Sequence, residues 1–233
     1  MSLNDPNAVA VEYASESGLL GRREAYRYAD GPNAPALAVE AVLEDLPRRV
    51  LEVGCGPGEA AEQIAAGGVE VEAIDISERM VELTRARGVS ACVGDVQDLP
   101  FESESFDAAL AAWMLYHVPD VERGIAELAR VLSHGGKLVA VTNRVEHLRE
   151  LRQLLGGAFP TDSFDDENGP EILRRYFAQV EERDVGGHIN FPDRVAVEAY
   201  VEASRSLWAR DLPADFEGPL SVRRAPVIYV ATK

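Results

Sequence analysis

The sequence predicts a mixed α/β fold built on a doubly wound, mainly parallel sheet. Two observations carry this. From Arg49 onward, short apolar runs alternate with helical stretches, and the first run, "RVLEV", leads straight into a glycine-rich turn that opens a helix. Such alternation marks successive βαβ units. The length, 233 residues, suits one α/β domain with an appendage, or at most two small domains. Hydrophobic residues make up 46% and charged residues 27%, the range of an ordinary globular chain.

The elements follow in order. "RVLEV" (Arg49–Val53) is a strand apolar enough for burial on both faces. A helix spans roughly Gly58–Ala66 and stops at Gly67–Gly68. "VEVEAID" (Val69–Asp75) is a second strand, and Ser77 caps a helix that runs to about Arg87, ended by Gly88. "SACVGD" (Ser90–Asp95) is a third strand and "FDAALAAWML" (Phe106–Leu115) a fourth. Pro119 and Asp120 open a helix to about Leu132, and "KLVAVT" (Lys137–Thr142) is the fifth strand. Beyond it the pattern gives a helix over Arg144–Gly157, an acidic turn-rich loop over Phe159–Pro170, then the helical "PEILRRYFAQV". A strand lies within Val180–Phe191, a helix over Pro192–Ser206, and a last apolar strand in "APVIYVATK". The region before Arg49 reads as helical and lies outside the sheet order.

Net charge is −17, which repels phosphate backbones at long range and makes nucleic acid an unfavoured partner. The pairs Arg22–Arg23, Arg174–Arg175 and Arg223–Arg224 read as solvated surface charge. No apolar stretch approaches the roughly 20 residues of a membrane span. The opening "MSLNDPNAVAVEYASESG" has no basic and apolar leader pattern, so a cytoplasmic setting is expected. Cys55 and Cys92 suggest neither a disulfide framework nor a reactive thiol, and the scattered histidines suggest no metal site.

Gly54, Gly56 and Gly58 permit a tight turn and close backbone approach to a ligand at a helix N-terminus. Their spacing, G-x-G-x-G, is one residue shorter than the dinucleotide fingerprint G-x-G-x-x-G. Glu52 stands two residues before the first glycine, where a carboxylate repels a pyrophosphate and attracts an ammonium group. Asp75, ending the second strand, is placed to accept ribose hydroxyls, which suits any adenosine ligand. It is expected at an exposed strand end. Asp95 ends the third strand, where it can face an adenine amino group, with the Val96 N–H beside it.

Taken in order, "VLEVGCGPG", "EAIDIS", "GDVQDLPF" with "FDAALAAWMLYHVPD", and "LARVLSHGGKLVAVT" resemble the successive motifs of the class I S-adenosylmethionine-dependent methyltransferases. The resemblance covers roughly Arg49–Thr142. It implies a Rossmann-like seven-stranded sheet in the order 3-2-1-4-5-7-6, the last strand antiparallel, with S-adenosyl-L-methionine as cofactor and S-adenosyl-L-homocysteine as product. It further implies that Glu52, Gly54, Cys55 and Gly56 line the methionine end. Asp75 would bind the ribose, with Ile76 and Met80 against the adenine, and Asp95 and Val96 would hold the adenine edge. The carbonyls of Ala111 and Ala112 would approach the methionine amino group. Tyr116 and His117 match the variable segment beside the reacting methyl group.

One domain is expected, with residues 1–48 a helical lid, 49–142 the cofactor-binding core and 143–233 carrying a substrate insert and the last strands. Tyr13, Arg22 and Tyr26 are candidates to pack over the methionine end, and His117 is the candidate base, since imidazole ordinarily titrates near neutrality. A small-molecule acceptor is expected. An RNA or protein acceptor, a non-catalytic adenosine-ligand binder and a nicotinamide enzyme with a shortened loop remain alternatives. Oligomeric state is not legible.

Overall fold

The computed structural model describes residues 4–13, 17–156, 163–205 and 210–233. Parts of the Phe159–Pro170 loop, and the ends of the helices expected to reach Gly157 and Ser206, lie outside the described residues. Nine strands form two sheets among the described residues. The large one contains β1 (Arg49–Val53), β2 (Glu70–Asp75), β3 (Ser90–Val93), β4 (Phe106–Ala112), β5 (Leu132–Asn143), β6 (Gln179–Asp184) and β9 (Pro226–Thr232), in the order β3-β2-β1-β4-β5-β9-β6. β1 to β5 are mutually parallel, and β9 runs antiparallel to both β5 and β6. This is the expected seven-stranded order, with β9 as the seventh strand.

Helices cover both faces because the parallel strands are apolar on both. On one face α6 (Val121–Val131) presses Ile125 and Leu128 onto Leu51, Val53, Ala109 and Leu138. On the other, α3 (Ala34–Leu43) and α4 (Glu59–Ala66) cover Val50, Ala73, Leu110 and Val139 with Ala38, Val42 and Ile64. α5 (Glu78–Ala86) starts where predicted, its Ser77 hydroxyl accepting the Met80 N–H. The Asp120 side chain caps α6 in the same way, accepting from Arg123.

A second unit stands apart from this sheet. A 3-10 turn over Ala25–Tyr28, α7 (Arg149–Leu155), the antiparallel pair β7 (Gly187–Phe191) and β8 (Leu220–Arg224), and α9 (Arg194–Ala203) share a separate apolar cluster, and α2 (Ser17–Glu24) packs against α9. Phe191, Val222, Leu151, Val197 and Tyr200 form its centre. The remaining helices are α1 (Pro6–Glu12) at the start and α8 (Gly169–Arg174) ahead of β6.

Several elements differ from expectation: the helix expected over "PEILRRYFAQV" ends at Arg174 and its last two residues begin β6, β8 falls where no element was expected, and β5 starts at Leu132 rather than Lys137. The fourth strand ends at Ala112 rather than Leu115, because Trp113 turns to φ +54 and the chain enters a 3-10 turn over Leu115–His117. The third strand ends at Val93 rather than Asp95. The helix expected from Arg144 starts only at Arg149. Arg144 instead pairs with Asp166 and Glu182 at 3.4 and 2.6 Å, and Leu148 adopts φ +56. The single strand expected within Val180–Phe191 is two strands in two sheets, broken at Val185–Gly186.

Phe106 is fully buried at the base of β4, edge-on to Phe101 at 5.1 Å. Phe106→Ala is expected to cost about 3–5 kcal/mol of stability, through lost transfer energy and the cavity left behind. A urea titration checks this: the midpoint falls while the slope stays constant.

Candidate functional site

The loop after β1 is shaped by two needs. Gly54 sits at φ +63, and a Cβ there would lie 2.7 Å from the Met114 Cβ, so both backbone and packing demand glycine. Gly56, at φ +53, faces open space, with nothing within 4 Å of where its Cβ would be. The loop therefore leaves an unfilled cradle at the C-terminal edge of the sheet.

Asp75 holds that loop. Its Oδ2 accepts the Gly56 N–H at 2.9 Å and its Oδ1 accepts the Ser77 N–H at 2.9 Å. It is 9% exposed, not at an exposed strand end as expected, because the loop and the start of α5 fold around it. Burial pushes its carboxyl upward, against the opposing pull of the N–H groups of Ser77, Gly56 and Ile76. Lone pairs beyond these bonds leave it able to accept further donors.

Glu52 is the second buried acid. It points toward α4, where the Ala61 N–H donates to it, and its Oε2 has no partner. Burial pushes the carboxyl up to about 8, with the negative charges of Asp75 and Glu59 adding to the rise. A buried carboxyl oxygen with nothing to bond is costly unless a donor arrives. An ammonium group in the cradle is such a donor.

The other expected site residues fall around this pair. Ile76 is exposed just past β2, and Met80 is fully buried within the first turn of α5. Asp95 is exposed, with both carboxylate oxygens accepting from the Gln97 side chain, and Val96 is buried behind it. Cys55 is buried against the Thr84 hydroxyl, and burial pushes its thiol up to about 12, so it is not a nucleophile. Ala111 and Ala112 end β4, level with Val53 of β1.

The N-terminal segment lies across this edge. Tyr13, at the end of α1, places its hydroxyl 3.0 Å from the His117 Nε2, and its carbonyl accepts the Ser77 hydroxyl at 2.9 Å. Tyr116 stacks edge-on against His117 at 4.5 Å. Arg23 of α2 pairs with Glu59 in the first turn of α4. Tyr26 is 42% exposed in the 3-10 turn that follows α2.

Two arginines read as surface charge are not at the surface. The Arg22 side chain is 14% exposed, paired with buried Glu12 at 2.6 Å and donating to the Ala203 carbonyl. Arg224 is 2% exposed. Arg223 beside it is the solvated one, pairing with Glu146 at 2.8 Å. Reasoning from sequence also missed Met114, which closes over Gly54, and Ser77 as the tether of Tyr13. Among the described residues no cluster of His, Cys, Asp and Glu is arranged to hold a metal, and no helix is long and apolar enough to cross a membrane.

Glu52 makes stability pH-dependent in a defined direction. Folded Glu52 keeps its proton up to about pH 8, whereas the ordinary value is 4.5, so the folded state binds more protons between those values. Its contribution is full below about pH 4.5 and is lost as the pH rises toward about 8, at up to ~1.4 kcal/mol per unit. Glu52→Gln keeps the shape and removes the titration. The variant is expected to melt higher than the parent at pH 8, with the difference shrinking toward pH 5, in paired thermal melts.

Residues 51–140 match the family described as "Methyltransferase domain". Among curated proteins, an uncharacterized methyltransferase of Mycobacterium tuberculosis is 34% identical over 131 residues, covering 54% of each chain. The ubiquinone biosynthesis O-methyltransferase of Xanthomonas oryzae is 40% identical over 129 residues, covering 49% of this chain and 54% of its own. The chain thus spans about half the length of the curated relatives it matches. Among solved structures, a Thermotoga maritima protein described as a SAM-dependent methyltransferase, possible histamine N-methyltransferase, superposes with a TM-score of 0.63 at 23% identity. The match covers 96% of this chain and 99% of that one. At that identity the likeness speaks for the fold alone. The strand order and the open glycine cradle agree with that match, and residues 51–140 are similar to a methyltransferase domain.

Proposed function

We propose that this chain transfers a methyl group from S-adenosylmethionine to an oxygen, nitrogen or carbon atom of a small molecule. The observation that carries the reading is the pairing of Glu52, a buried carboxyl with an unpartnered oxygen, with the open cradle at Gly56 and the buried carboxylate of Asp75. Glu52 suits the amino group of the cofactor's methionine end, and Asp75 suits its ribose hydroxyls. The cofactor, when bound, supplies an activated methyl group on a sulfonium.

The protein's own part is alignment and exclusion of water. Tyr13, anchored through its carbonyl to Ser77, roofs the edge above the cradle and meets His117 there. His117 is fixed from two sides, by the Tyr13 hydroxyl and by the Tyr116 ring. In that position it can take a proton from a hydroxyl or ammonium acceptor, while a stronger nucleophile needs no base. A roofed site and a net charge of −17 favour a small acceptor over a nucleic acid. The ubiquinone biosynthesis relative, which matches over about half its length, supports a small-molecule acceptor in general terms.

Calorimetry tests the cofactor reading. S-adenosylhomocysteine is expected to bind and NAD not to. Because an arriving ammonium favours ionised Glu52, binding near neutral pH is expected to release a proton, seen as a heat that varies with the buffer's ionisation enthalpy. Tighter binding of NAD than of S-adenosylhomocysteine overturns the assignment. For the base, His117→Ala is expected to lower kcat by about 10²-fold or more with a hydroxyl acceptor. S-adenosylhomocysteine affinity should stay within about twofold, since His117 lies at the roof and not among the groups assigned to the cofactor. Undiminished turnover removes His117 from the chemistry.

A further inference from the structure

Arg224 is the largest fully buried side chain among the described residues. It ends β8, opposite Gly187 of β7. Its Nη2 donates to the carbonyls of Asp30 and Pro32, at 3.1 and 2.7 Å. Among the described residues its Nε has no acceptor, and the one carboxylate shown to feel its charge, that of Asp30, is exposed and engaged by the His188 N–H and the Asn190 side-chain amide. Burying an arginine with no carboxylate in direct contact is unfavourable, most of all in a chain with forty acids from which to draw a partner.

Arg224 is also not alone. Its guanidinium carbon stands 5.9 Å from the centre of the Tyr26 ring. The charges of Arg22 and Arg224 both act on Tyr26, those of Arg152 and Arg224 on buried His147, and those of Arg22 and Arg152 on Tyr200. Arg22 has a counter-ion in Glu12. His147 adds no negative charge: its Nδ1 accepts the Ala225 N–H at 3.0 Å, and burial beside the arginines keeps the ring neutral. The positive region adjoins the roofed edge, since Glu12, which pairs with Arg22, is the neighbour of Tyr13, and Tyr13 touches His117.

We propose that Arg224 binds an anionic group, a carboxylate, of the methyl acceptor, with Tyr26 alongside, so that this enzyme methylates small organic acids. This deepens the methyl-transfer reading and rests on it. A guanidinium is the side chain best suited to a carboxylate, and a pre-formed, desolvated one binds it far more strongly than a surface arginine. The two carbonyls on Nη2 fix the group's position before any ligand arrives. The carboxylate is the handle by which the acceptor is held.

The test uses the whole chain, with and without saturating S-adenosylhomocysteine, and matched probes of equal shape: benzoate against benzamide, and phenylacetate against phenylacetamide. Binding is read by thermal shift and confirmed by calorimetry. At least one acid is expected to bind ten times or more tightly than its amide. Arg224→Gln is expected to abolish that preference and leave S-adenosylhomocysteine affinity unchanged, and Arg224→Lys to restore part of it. Equal binding of acid and amide, no binding of any acid, or a folded Arg224→Gln that keeps the preference overturns the proposal. The comparison of acid with amide needs no variant, so it decides even if Arg224→Gln does not fold. Failure to bind S-adenosylhomocysteine fells the methyl-transfer reading, whereas intact binding without acid preference fells the anion proposal alone.

Discussion

The site depends on one buried carboxylate. Asp75 ends β2, and its two oxygens collect N–H groups from two different turns, Gly56 of the loop after β1 and Ser77 at the start of α5. Each turn leaves amides that the sheet cannot satisfy, and a carboxylate can accept all of them at once. This bond pattern sets the glycine loop at a fixed distance from the second strand. It also orients Ser77, whose hydroxyl both caps α5 and carries the Tyr13 carbonyl. Loop, helix and roof are thus referred to a single side chain.

The two units of the molecule are held in different ways. The large sheet is packed on both faces, and its acids are held by backbone amides, the least mobile donors available. The smaller unit meets the sheet's helices through the Arg23–Glu59 pair, and α1 adds Tyr13 to His117 and Glu12 to Arg22. The exposed Arg23–Glu59 pair is individually weak, whereas the buried Arg22–Glu12 pair is costly to break.

The sheet was legible because parallel strands buried on both faces read as continuous apolar runs, punctuated by glycines and caps. The positions of Glu52, Asp75 and the glycines followed from their places at strand ends. What was not legible depended on distant partners. The turn over residues 145–148 arises because Arg144 is drawn to Asp166 and Glu182, so a good helical pattern lost to long-range ion pairs. Arg223 and Arg224 look alike as a basic pair, yet neighbours on a strand face opposite ways, and one lies in water while the other is enclosed. Which of the two turns inward depends on strand register, and that is fixed by β7, more than thirty residues away. Likewise, the depth of Asp75 depends on the loop closing over it, which no local pattern announces.

The connection between β6 and β9 has a consequence for how such a protein changes over time. The two strands lie side by side, with Asp184 opposite Val227, so the chain leaves the sheet and returns at adjacent points. Everything between them, including β7, α9 and β8, is an excursion whose ends are already held together by the ladder. Loop-closure entropy then grows only slowly with the length of the excursion. It can be lengthened, shortened or exchanged without moving a strand of the core. Such an excursion is a cassette with a fixed socket: a lineage can replace it while inheriting the sheet that holds its ends unchanged.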